Sequence, residues 1–528
     1  MNRMIILIFR AKLCDLYSLF ISTMSNNHPR EKNSVTDLEK DSACRDGLSV
    51  IIPGDKHGWL SHPLAKTLIS WGVEERGTIP VPEEERMDTQ YYKIFFVWFS
   101  MSFNILSFSA GTLGPIAFRL GLRDSCLVIL FFNILSCALP AYLNTWGPRT
   151  GMRQMIQTRY SFGYFGIIIP AILNLIGMCG FNILNGIVGG QALASVSDNM
   201  SWDVGIVIIF VIALFISFMG YRVINWYERV SWFPVLIAFL VALGLGGKKL
   251  YNAQPAEPAS ASTIISFASV IAGFVITYSS VASDFTMYYS PTVPRSKIFW
   301  YAYLGYLVPI VLLECLGAAA VLAAPNIPSW KDGYGTEDNV GGLLEAMLRP
   351  VGNFGKFLTV LLSLSVTSNI ACTLYSICFN FQVVVPAMSR VPRYVFSIIG
   401  TVIALPLSIV GAHRFYTALT NFLSLIGYWA STYGAILLVE HHYFRKGDFS
   451  TYDHAIWNVP ERLPWGAAAV TAGILSCALI IPCMNQAWYQ GPIGVISGDI
   501  SFEVAFPLAA LLYIPLRKLE IKYQNIQY

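Results

Sequence analysis

The stretch from Trp98 to Pro115 constrains the fold of this chain more than any other. It is apolar enough to enter a bilayer, yet its centre, Ser107–Pro115, holds two Ser, one Thr, two Gly and one Pro. That composition is expected to break a helix where hydrocarbon offers the freed backbone groups no partner. A break at membrane depth is tolerated only where it lines a cavity within the protein, and cavities between interrupted helices are where many secondary transporters hold substrate.

The rest of the chain supports a bilayer solvent. Of its 528 residues 55% are hydrophobic and 12% charged, against roughly 25% charged in a soluble domain; the mean hydropathy is +0.55. We therefore expect an all-α polytopic membrane protein, with the lipid bilayer as its main partner. The net charge of +4 comes without any run of like charges, which excludes nucleic acid as a partner. The 10 Cys are scattered without a C-x-x-C and read as small buried hydrophobes. No zinc-protease, nucleophile-elbow or phosphate-loop pattern occurs, so no enzyme, cofactor or metal site is expected.

Residues 1–90 read as a cytoplasmic, largely disordered tail. Its apolar start resembles a signal sequence but is interrupted by Arg10, Lys12 and Asp15 and lacks a clear cleavage site. Residues 91–517 form the transmembrane domain, and 518–528 a short cytoplasmic C-terminal tail. A spanning helix needs about 20 apolar residues. On that measure about twelve segments are expected, centred near residues 94–117, 124–145, 164–193, 203–220, 224–247, 263–285, 298–323, 355–384, 394–411, 416–439, 467–484 and 500–516. With the N-terminus inside, about fifteen loop Lys and Arg fall on the cytoplasmic side and about eight outside, which fits twelve spans with both termini inside. The sequon at Asn199 falls outside, close to the membrane.

The sixth segment has an interruption of its own, Thr277–Asp284, rich in small and polar residues. Paired interruptions five segments apart point to a site between two inverted repeats, although Ser and Gly can also serve only close helix packing. In segment 3, Phe181 and Asn185 share a helix face; a ring beside an amide suits a flat, hydrogen-bonding heterocycle, and Asn185 can alternatively bond a neighbouring helix. Segment 8 is dense in hydroxyls around Ser368 and Asn369, which suits substrate binding or packing against segment 1. Buried ionisable groups are functional candidates by default, and Asp284 and Glu314 are the clearest candidates for proton coupling. Glu228, Asp499 and Glu503 lie near segment ends, where interfacial placement or pairing is expected.

These residues also carry a resemblance. Arg76–Arg86, Phe103–Pro115, Leu120–Ser125, Arg153–Gly163, Ile187–Gln191, Gly220–Arg222 and Ser283–Thr286 resemble the fungal purine-cytosine permeases of the nucleobase-cation-symport-1 family, from about residue 70 to the C-terminus. The resemblance implies twelve helices: ten in two inverted five-helix repeats, like the leucine transporter, with helices 1 and 6 broken, plus two C-terminal helices. It implies substrate between segments 1, 3, 6 and 8, and proton symport of cytosine and purine bases at the plasma membrane; some relatives carry vitamin B6. Carried over residue by residue, substrate binding falls on Ser107, Phe181, Asn185, Phe274 (next to Gly273), Ser368 and Asn369. Where the family pattern is Asn-Asn-Ile-Pro, this chain has Ser368-Asn369-Ile370-Ala371, which leaves pyridoxine or another small heterocycle open as cargo. Ser363-Leu364, where sodium-coupled relatives have a Ser-Thr pair, fits proton rather than sodium coupling. A non-transporting nutrient sensor is the alternative of a different class, and the short C-terminal tail argues against it. Oligomeric state is left open.

Overall fold

The computed structural model describes residues 77–218, 220–252, 258–336, 339–391 and 393–524; most of the expected N-terminal tail (1–76) and residues 525–528 lie outside the described residues. The main helices, numbered here in chain order without the shortest ones, are α1 (Lys93–Ser102), α2 (Ile105–Phe118), α3 (Leu122–Ser136), α4 (Ala138–Asn144), α5 (Gln154–Gly166), α6 (Ile168–Ala194), α7 (Trp202–Phe218) and α8 (Gly220–Gly246). They continue with α9 (Ala261–Ile276), α10 (Arg295–Ala323), α11 (Asn353–Val384), α12 (Arg393–Gly411), α13 (Phe415–Val439), α14 (Ala467–Ile480) and α15 (Ser501–Gln524). Among the described residues, seven stretches are long and apolar enough to cross a membrane, one of them taking in α12 and α13 together, and the bent pair α1–α2 makes an eighth. Each segment expected from the sequence overlies a helix or a helix pair, α7 and α14 being the short ones.

The first segment bends by 52° between α1 and α2, but not where the sequence placed the break. Ser107–Pro115 lies inside α2, and the interruption is at Phe103–Asn104. One residue makes it. Asn104 is extended (φ −142°, ψ 172°) and its Oδ1 caps α2 by accepting from the backbone N–H of Leu106 and Ser107. Its Nδ2 donates to Met101 O, 2.6 Å away at the end of α1. Ser107 Oγ closes the gap by donating to Ser102 O (2.6 Å), and Ile105 N donates to Ser365 Oγ on α11 (3.2 Å). The groups freed at the bend thus find protein partners, as burial away from water requires.

The glycines that looked like helix breakers instead set helix spacing. A Cβ at Gly111 would lie 1.9 Å from Glu314 O on α10, and one at Gly317 on α10 would lie 2.0 Å from Phe108 O on α2. The two backbones approach more closely than any side chain permits, the usual role of small residues in membrane helices.

Segment 6 ends differently. α9 stops at Ile276 and gives way to two 3-10 turns, Thr277–Ser280 and Ala282–Phe285. Its hydroxyls bond back and across: Ser280 Oγ donates to Thr277 O (2.7 Å) and Asn174 Oδ1 (2.6 Å), and Ser283 Oγ to Leu143 O (2.9 Å). α11 lies along α6 and meets α1, α7 and α8, so the two irregular stretches, α6 and α11 enclose one central region. Large apolar side chains at Phe131, Leu135, Val211, Phe215, Phe233 and Val402 face outward, as a lipid-facing surface requires.

Residues 77–90, the end of the expected tail, are held against the body. Arg153 Nε donates to Gly77 O (2.9 Å), Val81 N to Gly151 O (2.8 Å) and Arg86 Nη1 to Pro148 O (2.7 Å). Several cations counted as loop charges are buried as well. Arg445 and Arg517 pair with Glu440 at 3.1 and 3.0 Å, and Arg517 also pairs with Glu520 at 2.8 Å, tying the end of α13 to α15.

Candidate functional site

A central cavity of ≈ 40 Å³ lies between α1, α6, the 3-10 turns after α9, α11 and α13, with Phe181, Tyr278, Asn369, Cys372 and Trp429 among its walls. That volume holds a few waters. Its organising polar group is Asn369 on α11. Asn369 Nδ2 donates to Met101 O at the α1 bend (3.0 Å) and to Tyr278 OH in the segment 6 turn (3.1 Å). Asn369 Oδ1 accepts from Asn185 Nδ2 on α6 (3.2 Å). One amide therefore ties both irregular stretches to α6 and α11.

Phe181 and Asn185 share the face of α6 that the helical repeat predicts: Asn185 Nδ2 also donates back to Phe181 O at 2.8 Å. The Phe181 ring stacks on Tyr278 (centroids 6.1 Å, 17° between planes) and meets Phe274 edge-on (5.9 Å, 79°). Phe181 and Tyr278, not Phe181 and Phe274, are thus the two parallel rings. Two buried polar atoms here lack a partner: Asn185 Oδ1, an acceptor, and Trp429 Nε1, a donor. Each such atom costs roughly 1–3 kcal/mol until something bonds it; Trp429 lines the cavity, whereas Asn185 is not among its walls and bonds Asn369, which is.

Of the residues expected to bind substrate, the structure brings Phe181, Asn185 and Asn369 together, with Phe274 edge-on to the Phe181 ring; Phe181 and Asn369 are among the cavity walls, Asn185 and Phe274 are not. Ser107 is committed to the bend. Ser368 faces away from the cavity and donates to both carboxylate oxygens of Glu228 at 2.7 Å. Asp284 caps the start of α5 by accepting from Gln154 N (2.9 Å), and Glu314 accepts from Asn133 Nδ2 on α3 (2.7 Å); neither carboxylate is among the cavity walls.

Sequence reasoning missed Tyr278, Asn174 and Glu228. Tyr278 lies within the interruption already noted. Asn174 precedes Phe181 by two turns on the same face of α6, and its Nδ2 donates to Asn380 Oδ1 at 2.9 Å; that spacing could have revealed it. Glu228, expected at an interface, is fully buried. Its neighbour Arg229 is exposed, and the mixed polarity of Trp226-Tyr227-Glu228-Arg229 hides which side chain turns inward.

Comparisons with known proteins bear on the family and the fold. Residues 80–502 match the family model described as "Permease for cytosine/purines, uracil, thiamine, allantoin". The chain is 34% identical to purine-cytosine permease fcyB of Emericella nidulans, over 92% of this chain and 98% of that one. It is 34% identical to purine-cytosine permease FCY2 of Saccharomyces cerevisiae (87% and 88%), and 28% identical to the vitamin B6 transporter TPN1 of the same yeast (89% and 90%). Among solved structures, the nucleobase-cation-symport-1 family transporter Mhp1, closed with bromovinylhydantoin bound, superposes with a TM-score of 0.65 at 16% identity, over 85% of this chain and 96% of that one. The fold is therefore that of Mhp1.

Proposed function

The chain belongs to the family of permeases for cytosine/purines, uracil, thiamine and allantoin, and from that membership we propose that it imports purine bases and cytosine across the plasma membrane by alternating access, driven by protons, with both termini in the cytoplasm. It is a multi-pass membrane permease, not an enzyme. The observation that carries the choice of cargo is the pairing of parallel rings with partnerless polar atoms: Phe181 and Tyr278 for the faces of a flat heterocycle, and for its edge Trp429 Nε1 on the cavity wall and Asn185 Oδ1 beside the wall residue Asn369, reached as the cavity widens.

A ring held between two others needs about 7 Å, two contacts of about 3.5 Å each. The Phe181 and Tyr278 centroids stand 6.1 Å apart, so the two rings must part to admit a third. Once between them, the base meets Asn185 Oδ1 with an exocyclic amine or ring N–H and Trp429 Nε1 with a ring nitrogen or carbonyl. Asn369 holds this arrangement together, Phe274 meets the Phe181 ring edge-on, and Ser107 keeps the bend. Asp284 and Glu314 hold parts of the fold around the path, and an external proton drives the cycle. The departure at Ser368 bears little on cargo, because that hydroxyl is bonded to Glu228 and not turned to the cavity; pyridoxine is accordingly the lesser reading.

The test is uptake of radiolabelled cytosine and adenine by cells lacking their own base carriers, in acidic and alkaline medium, with and without a protonophore. Uptake that is strong in acid and collapses with protonophore is expected, and Asn185→Ala should abolish it while the protein stays at the plasma membrane. Pyridoxine uptake that neither base competes with would overturn the assignment of cargo.

A further inference from the structure

Glu228 is the strongest unexplained group in the molecule. It lies near the start of α8, fully buried, where α8 meets α1 and α11. Ser368 Oγ reaches both of its oxygens at 2.7 Å, and Cys372 Sγ lies 3.3 Å from Oε1. The Ser100 hydroxyl of α1 stands beside this cluster, 2.8 Å from Ser231 Oγ and 3.5 Å from Ser368 Oγ. Among the described residues no cationic side chain pairs with Glu228. Of the elements around it, α11 contributes the Cys372 thiol and α1 only the Ser100 hydroxyl. On α8 itself Tyr227 turns its hydroxyl to Thr367 Oγ1 (2.8 Å) and Arg229 is exposed.

Glu228 lines neither cavity itself, but neighbours of its carboxylate line two. Cys372 lines the central one. A second cavity of ≈ 290 Å³ is bounded by Ser100, Tyr227, Ser231 and Ser365, among others. That volume is ample for water, and the Ser100 hydroxyl on its wall stands 3.5 Å from Ser368 Oγ, which bonds the carboxylate.

We propose that Glu228 is the proton-binding site that couples the proton gradient to base movement. This deepens the proton-driven reading above and rests on it. A carboxylate charged in this surrounding with no counter-ion is costly, and a bound proton removes the cost. The charged carboxylate accepts from Ser368 and Cys372, whereas the carboxylic acid must donate one bond, for which the Ser368 hydroxyl oxygen on α11 is within reach. Protonation therefore rearranges the contacts between α1, α8 and α11. Asn369, next to Ser368 on α11, reports that change directly at Met101 O and Tyr278 OH in the base site.

The test compares the wild type with Glu228→Gln and Glu228→Asp, both followed to the plasma membrane by a fluorescent tag. Glu228→Gln, held as if protonated, is expected to exchange labelled cytosine for unlabelled cytosine but to lose uphill accumulation and its dependence on external pH. Glu228→Asp, which keeps an acid, should retain accumulation at a reduced rate. Accumulation by Glu228→Gln with the wild-type pH profile would overturn the proposal, and so would loss of exchange together with accumulation in both variants, which is the mark of a merely structural residue. A wild type that takes up cytosine without pH dependence would instead defeat the proton-driven reading itself.

Discussion

Asn369 and Asn185 are both buried amides, yet their states differ. Asn369 has its nitrogen and its oxygen each bonded twice, whereas Asn185 keeps its oxygen unbonded. The first organises and the second waits for a donor. Tyr278 separates the two roles within one side chain, because its hydroxyl accepts from Asn369 and its ring stacks on Phe181. Tyr278→Phe should lose about 1 kcal/mol of stability and keep base uptake with only a small change in affinity. Tyr278→Leu removes the stacking face and should raise the Km for adenine roughly five- to a hundredfold, the equivalent of about 1–3 kcal/mol. Equal losses in both variants would mean that the hydroxyl, not the ring, holds the base. That Phe181 and Asn185 lie together was legible in the sequence because helical spacing fixes which residues share a face, and Asn369 stood out as the amide of a hydroxyl-rich segment. Ser107, Ser368 and Glu228 were not. A hydroxyl on a helix can bond its own backbone, a neighbour or a ligand, and a carboxylate near a segment end turns inward only if a neighbouring helix supplies donors, as Ser368 does.

Among the elements, the bend between α1 and α2 shows how the sequence misdirects. Gly, Ser and Pro mark turns in water, so Ser107–Pro115 looked like the break. Inside a packed bundle the same small residues bring helices together, and the break is made by Asn104, a single polar residue that leaves little trace in composition. The helices themselves were legible from the length of their apolar runs, and their close spacing follows from glycine. Gly111→Ala should therefore force α2 from α10 and cost about 1–3 kcal/mol, as overpacking does. Gly244 on α8 has nothing within 4 Å of a built Cβ, so Gly244→Ala should be neutral or stabilising by up to about 1 kcal/mol. Thermal unfolding in detergent distinguishes the two, and an equal shift for both would show that helix propensity, not spacing, governs α2.

For the whole molecule, the central cavity is too small for its proposed cargo, and the contacts that close it are the ones that would hold the base. Asn369 ties α1, α6, α11 and the segment 6 turn across the site, so admitting a base requires at least one of those elements to move. A ligand shifts such an equilibrium only through different affinities for the open and closed forms. Cys372 reports the shift, since it is buried, lines the cavity and touches Glu228. In a chain whose other cysteines are replaced, a small thiol reagent should label Cys372 slowly, at the rate at which the cavity opens. Cytosine at saturating concentration should slow labelling further by filling the space between Phe181 and Tyr278. The Glu228→Gln chain should label at a rate independent of external pH, whereas the intact chain should not. Rapid labelling unaffected by cytosine would place the base elsewhere and leave the cavity a packing defect. Protection by cytosine with the same pH dependence in both chains would keep the base site and move the proton to another carboxylate, with Asp284 and Glu314 the next to be replaced.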